Sequence, residues 1–167
     1  MHWQTVRVAV FFALIAASGF AQQSTTPPVR DSTCVFEDGQ QARISFAAKV
    51  DDLKKDLPRD KIWTPGDQPM ILFTDTALTL GGTNIPPGAY SMYFLPSKED
   101  WTVIVNKDVT PGAQYDQTKD LARSSMETGK LPESQPFQLA FARMKPKQCS
   151  LRIYYGKVGV WAEFNEP

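Results

Sequence analysis

Histidine is almost absent from this chain. The one residue it carries, His2, sits ahead of an apolar run that reads as an export leader, so the finished protein is expected to hold no imidazole. Histidine-dependent triads, histidine general bases and histidine-ligated metals are excluded with it. Cysteine is scarce, with Cys34 and Cys149 alone. Neither charge is in excess, since 18 Lys and Arg balance 18 Asp and Glu with no strong run of one sign. Nucleic acid is therefore not an expected partner. A long hydrophobic stretch is also lacking: the run from Val8 to Ala17 falls short of the roughly 20 residues that a spanning helix needs.

What the N-terminus does have is the order of a cleavable signal peptide over residues 1–21. Arg7 precedes the apolar run, Gly19-Phe20-Ala21 follows it, and cleavage is expected before Gln22. The alternative is an uncleaved anchor. No cysteine follows the run to take a lipid, so no membrane span is expected after cleavage, and the protein is expected in the periplasm or outside the cell. An oxidising compartment favours a Cys34–Cys149 disulfide over two separately buried thiols. Closing so long a loop is worth up to about 4–5 kcal/mol in the chain-entropy account.

Residues 22–33, QQSTTPPVRDST, offer no apolar face and read as a flexible lead-in. From Cys34 to the end at 167, short alternating segments separated by turn signals predict one all-β domain, an antiparallel β-sandwich of jelly-roll type. Parity places the first hairpin. Cys34 and Phe36 share a face with Ala42, Ile44 and Phe46 only if the loop is the three residues Glu37-Asp38-Gly39, with Gly39 left-handed. Further strands are expected at about 69–74, 77–80, 89–95, 101–106 and 136–143. Two long polar connections, 51–68 and 107–135, remain. The second is long enough to need a short strand or helical turn near Leu121 to Met126, and is the natural place for a functional loop.

The last hairpin has the clearest register. A two-residue Gly156-Lys157 turn opposes Tyr155 to Val158, Ile153 to Val160, Leu151 to Ala162 and Cys149 to Phe164, all apolar or sulfur-bearing. Its other face sets Tyr154 over Gly159, Arg152 against Trp161, and Ser150 against Glu163. Arg152, Tyr154, Trp161 and Glu163 are the candidate binding residues, because aromatic rings beside charged groups stack a sugar ring or a partner's side chain. The alternative is that the 107–135 connection folds over these aromatics and makes them a second small core. Trp63 and Trp101 are assigned to packing at the ends of the sandwich.

Three stretches in the middle of the chain carry a resemblance: Ile62-Trp63-Thr64-Pro65-Gly66, then GGTNIPPGAYSMYF from Gly81 to Phe94, then Trp101 to Lys107, WTVIVNK. The chain resembles the exported bacterial domain of unknown function family 2911 over most of residues 40–164. The resemblance implies a single β-sandwich domain and brings no activity and no cofactor. Thr64 departs from the arginine expected after the tryptophan; if that arginine binds something, this chain has lost the contact. The same residues also read as a frame, with Gly81-Gly82 a tight reversal and Pro86-Pro87-Gly88 a stiffened turn.

Candidate chemistry is thin. Asp67, Asp75, Glu99, Asp100, Asp120 and Glu163 are available for two-carboxylate hydrolysis, but no spacing singles out a pair. In Asp116 to Asp120 a lysine sits among the oxygens and the glycine of a calcium loop is missing. Ser124 and Ser125 have no histidine and no nucleophile-elbow pattern. We therefore expect no catalytic residue, no metal and no cofactor. The leading expectation is a non-enzymatic exported domain that binds a small ligand, a glycan or an envelope component. A carboxylate-dependent hydrolase and a structural envelope protein are the alternatives.

Overall fold

The computed structural model describes residues 28–47, 58–98 and 100–167. The expected signal peptide, the first half of the expected lead-in, the start of the first long connection and Glu99 lie outside the described residues. The elements are β1 (Val29–Val35), β2 (Gln41–Ala47), β3 (Met70–Thr74), β4 (Leu78–Leu80), β5 (Thr83–Ile85), β6 (Gly88–Leu95), β7 (Trp101–Asn106), β8 (Asp120–Lys145) and β9 (Gln148–Asn165). Neighbouring strands pair antiparallel, in the order β1-β2-β3-β6-β7-β8-β9-β4-β5. The expected all-β class holds. Among the described residues no helix is long and apolar enough to cross a membrane.

The first hairpin forms as parity demands. Cys34 lies opposite Ala42, Phe36 N donates to Gln40 O at 2.9 Å, and Gly39 takes φ 90° in the loop. β1 begins at Val29, however, inside the segment expected to be a flexible lead-in. Its polar residues belong to an edge strand whose outward positions meet water, so composition hid it.

β8 and β9 are each too long to run straight. Ser150 Oγ donates to Glu163 Oε1 at 3.0 Å, and Glu166 N donates to Lys147 O at 2.9 Å. Extended chain rises about 3.3 Å per residue, so residues thirteen apart on a straight strand stand roughly 43 Å apart. β9 must therefore double back. It does so at Gly156-Lys157, where Gly156 has φ 58°, and the arms 148–155 and 158–165 form the expected hairpin. β8 follows around the outside of that hairpin. Residues 127–130 pair with 158–161, Gln135 faces Gly156, and residues 138–143 pair with 149–154. The result is a two-stranded ribbon folded at its middle, with the arms of β9 inside and those of β8 outside.

The expected 107–135 connection is thereby corrected. Only residues 107–119 connect strands, because β8 starts at Asp120 and hydrogen-bonds to β7 on one side and β9 on the other. Its polar residues alternate with buried Ala122 and Met126, the signature of a strand with one wet face. The strand expected at 136–143 is part of the second arm. β5, absent from the expected strands, follows the tight Gly81-Gly82 reversal.

The inward residues of the whole sheet meet in one core. Cys34, Phe36 and Ile44 from its start join Leu151, Val160 and Phe164 from its end, and the Phe141 and Phe164 rings meet edge to face at 5.5 Å. β1 packs against the second arm of β8, where Ser32 Oγ accepts from Phe141 N at 2.8 Å. The Cys34–Cys149 disulfide, with Cα atoms 6.2 Å apart, ties β1 to β9.

Candidate functional site

The four residues singled out for binding do share one surface. The register of the β9 hairpin sets Arg152 opposite Trp161, and β8 adds Glu127 on the far side of Trp161. A Cβ built on Gly159 would meet the Tyr154 ring at 3.2 Å, and one on Gly129 would meet the Trp161 ring at 3.2 Å. Gly129 and Gly159 are themselves directly opposed. Two aromatic rings thus lie against the sheet where side chains are missing, one over each glycine. Neither ring is fully buried. Small residues here serve as a seat for the rings, which explains glycine in strands that glycine otherwise weakens.

The polar groups around the rings are fixed. Trp161 Nε1 donates to Glu127 Oε2 at 2.9 Å, so Glu127 belongs to the site although sequence reasoning missed it. Only the pairing of β8 with β9 reveals it. Arg152 turns away from Trp161, its Nε 3.3 Å from Ser150 Oγ and its Nη2 3.5 Å from Met144 Sδ. Glu163 accepts from Ser150 through Oε1, while its Oε2 is buried with no hydrogen-bond partner. A buried acceptor left unpaired costs about 1–3 kcal/mol.

The 107–119 connection does not cover this surface. It folds instead over the outer face of β6 and β7, where it buries Tyr93 and Ile104 and sets the Tyr115 ring 4.9 Å from that of Tyr93. The second small core considered for the β9 aromatics therefore exists on a different face. Asn106, 1% exposed, is its hub: Nδ2 donates to Asp120 Oδ1 at 2.8 Å and to Asp116 O at 2.9 Å, and Oδ1 accepts from Asp108 N. Tyr115 Oη donates to Asp120 Oδ2 at 2.7 Å, and Ser91 Oγ to Asp108 O. Lys119 Nζ reaches Asp108 Oδ2 at 2.6 Å.

These contacts move the titrations of the loop. The Lys119 ammonium first, then the hydroxyl and amide of Thr110, hold Asp108 well below the usual carboxylate range. Lys119 rises in return, chiefly through its hydrogen bond to Asp108. Burial first, then the Asp120 carboxylate, pushes the Tyr115 phenol up to about 12. Burial also raises Tyr93.

Between this loop and the 62–71 segment lies a cleft of about 750 Å³ that sequence reasoning did not identify. Thr64, Asp67, Ser91, Tyr93 and Tyr115 line it, together with the loop tip. The 62–71 wall is shaped by a left-handed pair, Gly66 at φ 69° and Asp67 at φ 59°. A Cβ on Gly66 would stand 2.7 Å from Ala47 O, so no other residue fits there without movement. Behind it Trp63 exchanges both backbone hydrogen bonds with Phe94, and its ring packs against Phe94, Trp101, Phe137 and Tyr155. Trp63 and the buried Trp101 have the packing role expected of them.

A family model described as "Protein of unknown function (DUF2911)" matches residues 49–164. The chain belongs to this family. In the DUF2911 domain the three motif stretches converge: Thr64 lines the cleft, the Gly88–Leu95 strand supplies Ser91 and Tyr93 to it, and Asn106 fastens its loop. Thr64, the departure from the expected arginine, is thus a wall residue. No curated protein and no solved structure matches the chain.

The carboxylates weighed for hydrolysis are scattered through the DUF2911 domain. Asp67 is at the cleft, Asp75 follows β3, Asp100 precedes β7, Asp120 opens β8 under three hydrogen-bond donors, and Glu163 is on the β9 face. Among the described residues no group of three or more His, Cys, Asp or Glu is arranged to hold a metal. Ser124 lies against the Gly81 turn, where a Cβ would meet its Oγ at 2.8 Å.

Proposed function

We propose that this DUF2911 domain is an exported, non-catalytic recognition domain, acting in the periplasm or outside the cell, that binds a saccharide on the outer face of β8 and β9. Tyr154 and Trp161 stack against sugar rings, while Arg152 and Glu163 hydrogen-bond hydroxyl groups. The observation that carries the reading is the pair of rings laid over Gly159 and Gly129. Sugars present flat C–H faces, and a ring already seated against the strands offers them a surface at little further entropic cost. The Cys34–Cys149 bridge supports an oxidising compartment.

The test is a calorimetric or affinity-electrophoresis survey of soluble cell-envelope glycans with the wild type, Trp161→Ala and Tyr154→Ala. Loss of one stacking ring is expected to weaken binding by about 1–2 kcal/mol, or roughly five- to thirtyfold, with the thermal midpoint nearly kept. A wild type that binds none of the glycans, or a folded Trp161→Ala that binds as well as wild type, removes the proposal. A carboxylate hydrolase is less favoured because the candidate acids sit on separate elements; glycan cleavage abolished by one Asp or Glu change in a folded protein would reverse that preference. Tight self-association without a small ligand would instead favour a structural envelope role.

A further inference from the structure

We infer that the cleft between the 62–71 segment and the 109–115 loop is a second binding site, for a ligand without negative charge that joins a flat apolar ring to amide or hydroxyl groups. The inference is independent of the saccharide reading, since the two surfaces share no residue.

Size comes first. A volume of about 750 Å³ falls within the range of cavities that enclose small organic molecules. The lining then sets the chemistry. Tyr93 and Tyr115 supply ring surface, Pro69 and Pro111 supply rigid apolar walls, and Gln68 and Gln114 supply amide donors and acceptors. Both tyrosines enter the cleft as neutral rings, because the Tyr115 hydroxyl is already given to Asp120 and both phenols ionise only in strong alkali. Among the described residues no Lys or Arg lines the cleft, whereas the Asp67 carboxylate does. An anion moving there would lose hydration beside a group of its own sign, and desolvating an unpaired charge is costly.

The cleft is also built in advance. Its loop is fastened at both ends, by Lys107 N to Lys119 O at 2.9 Å and by the Asn106 hub. Its other wall is fixed where Gly66 presses on Ala47. A ligand therefore meets a formed surface and does not have to order it, which leaves more of the contact energy for affinity.

The experiment is amide-resolved NMR of the protein titrated with N-acetyltyrosinamide and, in parallel, with N-acetyltyrosine, the same molecule bearing a carboxylate. The amide is expected to shift resonances of residues 62–71 and 109–115 saturably, and the acid to bind at least about tenfold more weakly because its charge goes unpaired. Thr64→Arg should narrow that ratio by bringing a cation to the wall. Ala113→Trp should fill the cleft and abolish the shifts without touching Asn106, and Trp161→Ala should leave them unchanged. The inference is overturned if the amide gives no saturable shift at millimolar concentration, if the acid binds equally well, or if Trp161→Ala removes the binding. A folded Ala113→Trp protein that binds as before overturns it too. If Ala113→Trp does not fold, Gln68→Ala and Gln114→Ala take its place, and undiminished binding in both counts the same way.

Discussion

The outer faces of β6–β7 and of β8–β9 belong to one continuous sheet, yet they are finished in opposite ways. Over β6 and β7 a connection folds down and is pinned by a buried amide, so the surface becomes concave. Over β8 and β9 no described connection folds down. Glycines open two places in the strands and the neighbouring rings lie into them, so the surface stays flat. A cleft depends on a network that a single missing atom can undo, whereas a flat face depends on local van der Waals fit. The two should fail separately.

The largest separation is expected from Asn106→Ala. It leaves Asp120, the Asp116 carbonyl and the Asp108 amide each short of a partner, and a loss of roughly 2–4 kcal/mol is expected from such a buried network. Hydrogen exchange should quicken across residues 107–119 while Trp161 fluorescence stays as in the wild type. If both regions loosen together, the faces are not independent.

A smaller effect in the other direction is expected from Gly129→Val. The new side chain starts 3.2 Å from the Trp161 ring and must lift it, at a cost of about 1–3 kcal/mol offset in part by the strand preference of valine. Trp161 fluorescence should shift and glycan binding should fall, with the cleft resonances unmoved. A stabilised protein with an unshifted spectrum would show that the ring does not need the glycine.

The mildest way to tell the faces apart is pH. Asp108 is depressed in the folded protein, so its contribution is complete above about pH 4, the ordinary aspartate value, and is lost as pH falls through its lowered one. Tyr115 is raised, so its contribution is complete below about pH 10 and fades as pH climbs toward about 12. Acid and strong alkali should therefore both loosen the 107–119 loop before the β9 face. Exchange rates follow the acid limb, and an ultraviolet absorbance titration of wild type against Tyr115→Phe follows the alkaline one.

How much of this was legible depended on whether the signal was local. The Gly156-Lys157 hairpin could be read because alternation changes parity there and one turn length repairs it. The first hairpin yielded to the same reasoning around Gly39. The four β9 residues were brought to one face for that reason, though Arg152 turned to Ser150 and Met144 and left Glu127 to meet Trp161. β8 was not legible. Pro132 and its polar neighbours fell in the expected 107–135 connection, but the chain there rounds the outside of the β9 turn, where a missing amide is tolerated. The cleft was invisible because its walls come from three distant stretches, and no window of sequence holds two of them. The resemblance marked the first two of those stretches without saying that they meet, and stopped at Lys107, short of the third.

The bridge between Cys34 and Cys149 has a consequence for the order of events during synthesis. With a sequence separation of 115 between its halves, the clasp has no second sulfur until nearly all of the polypeptide has been made. Until then the leading strand, polar and at the margin of the sheet, is held only by its hairpin partner and by whatever of the second arm of β8 has been made. A product truncated ahead of residue 149 would carry one reactive thiol near its front and no mate for it in the same molecule, a chemical label that marks incomplete copies.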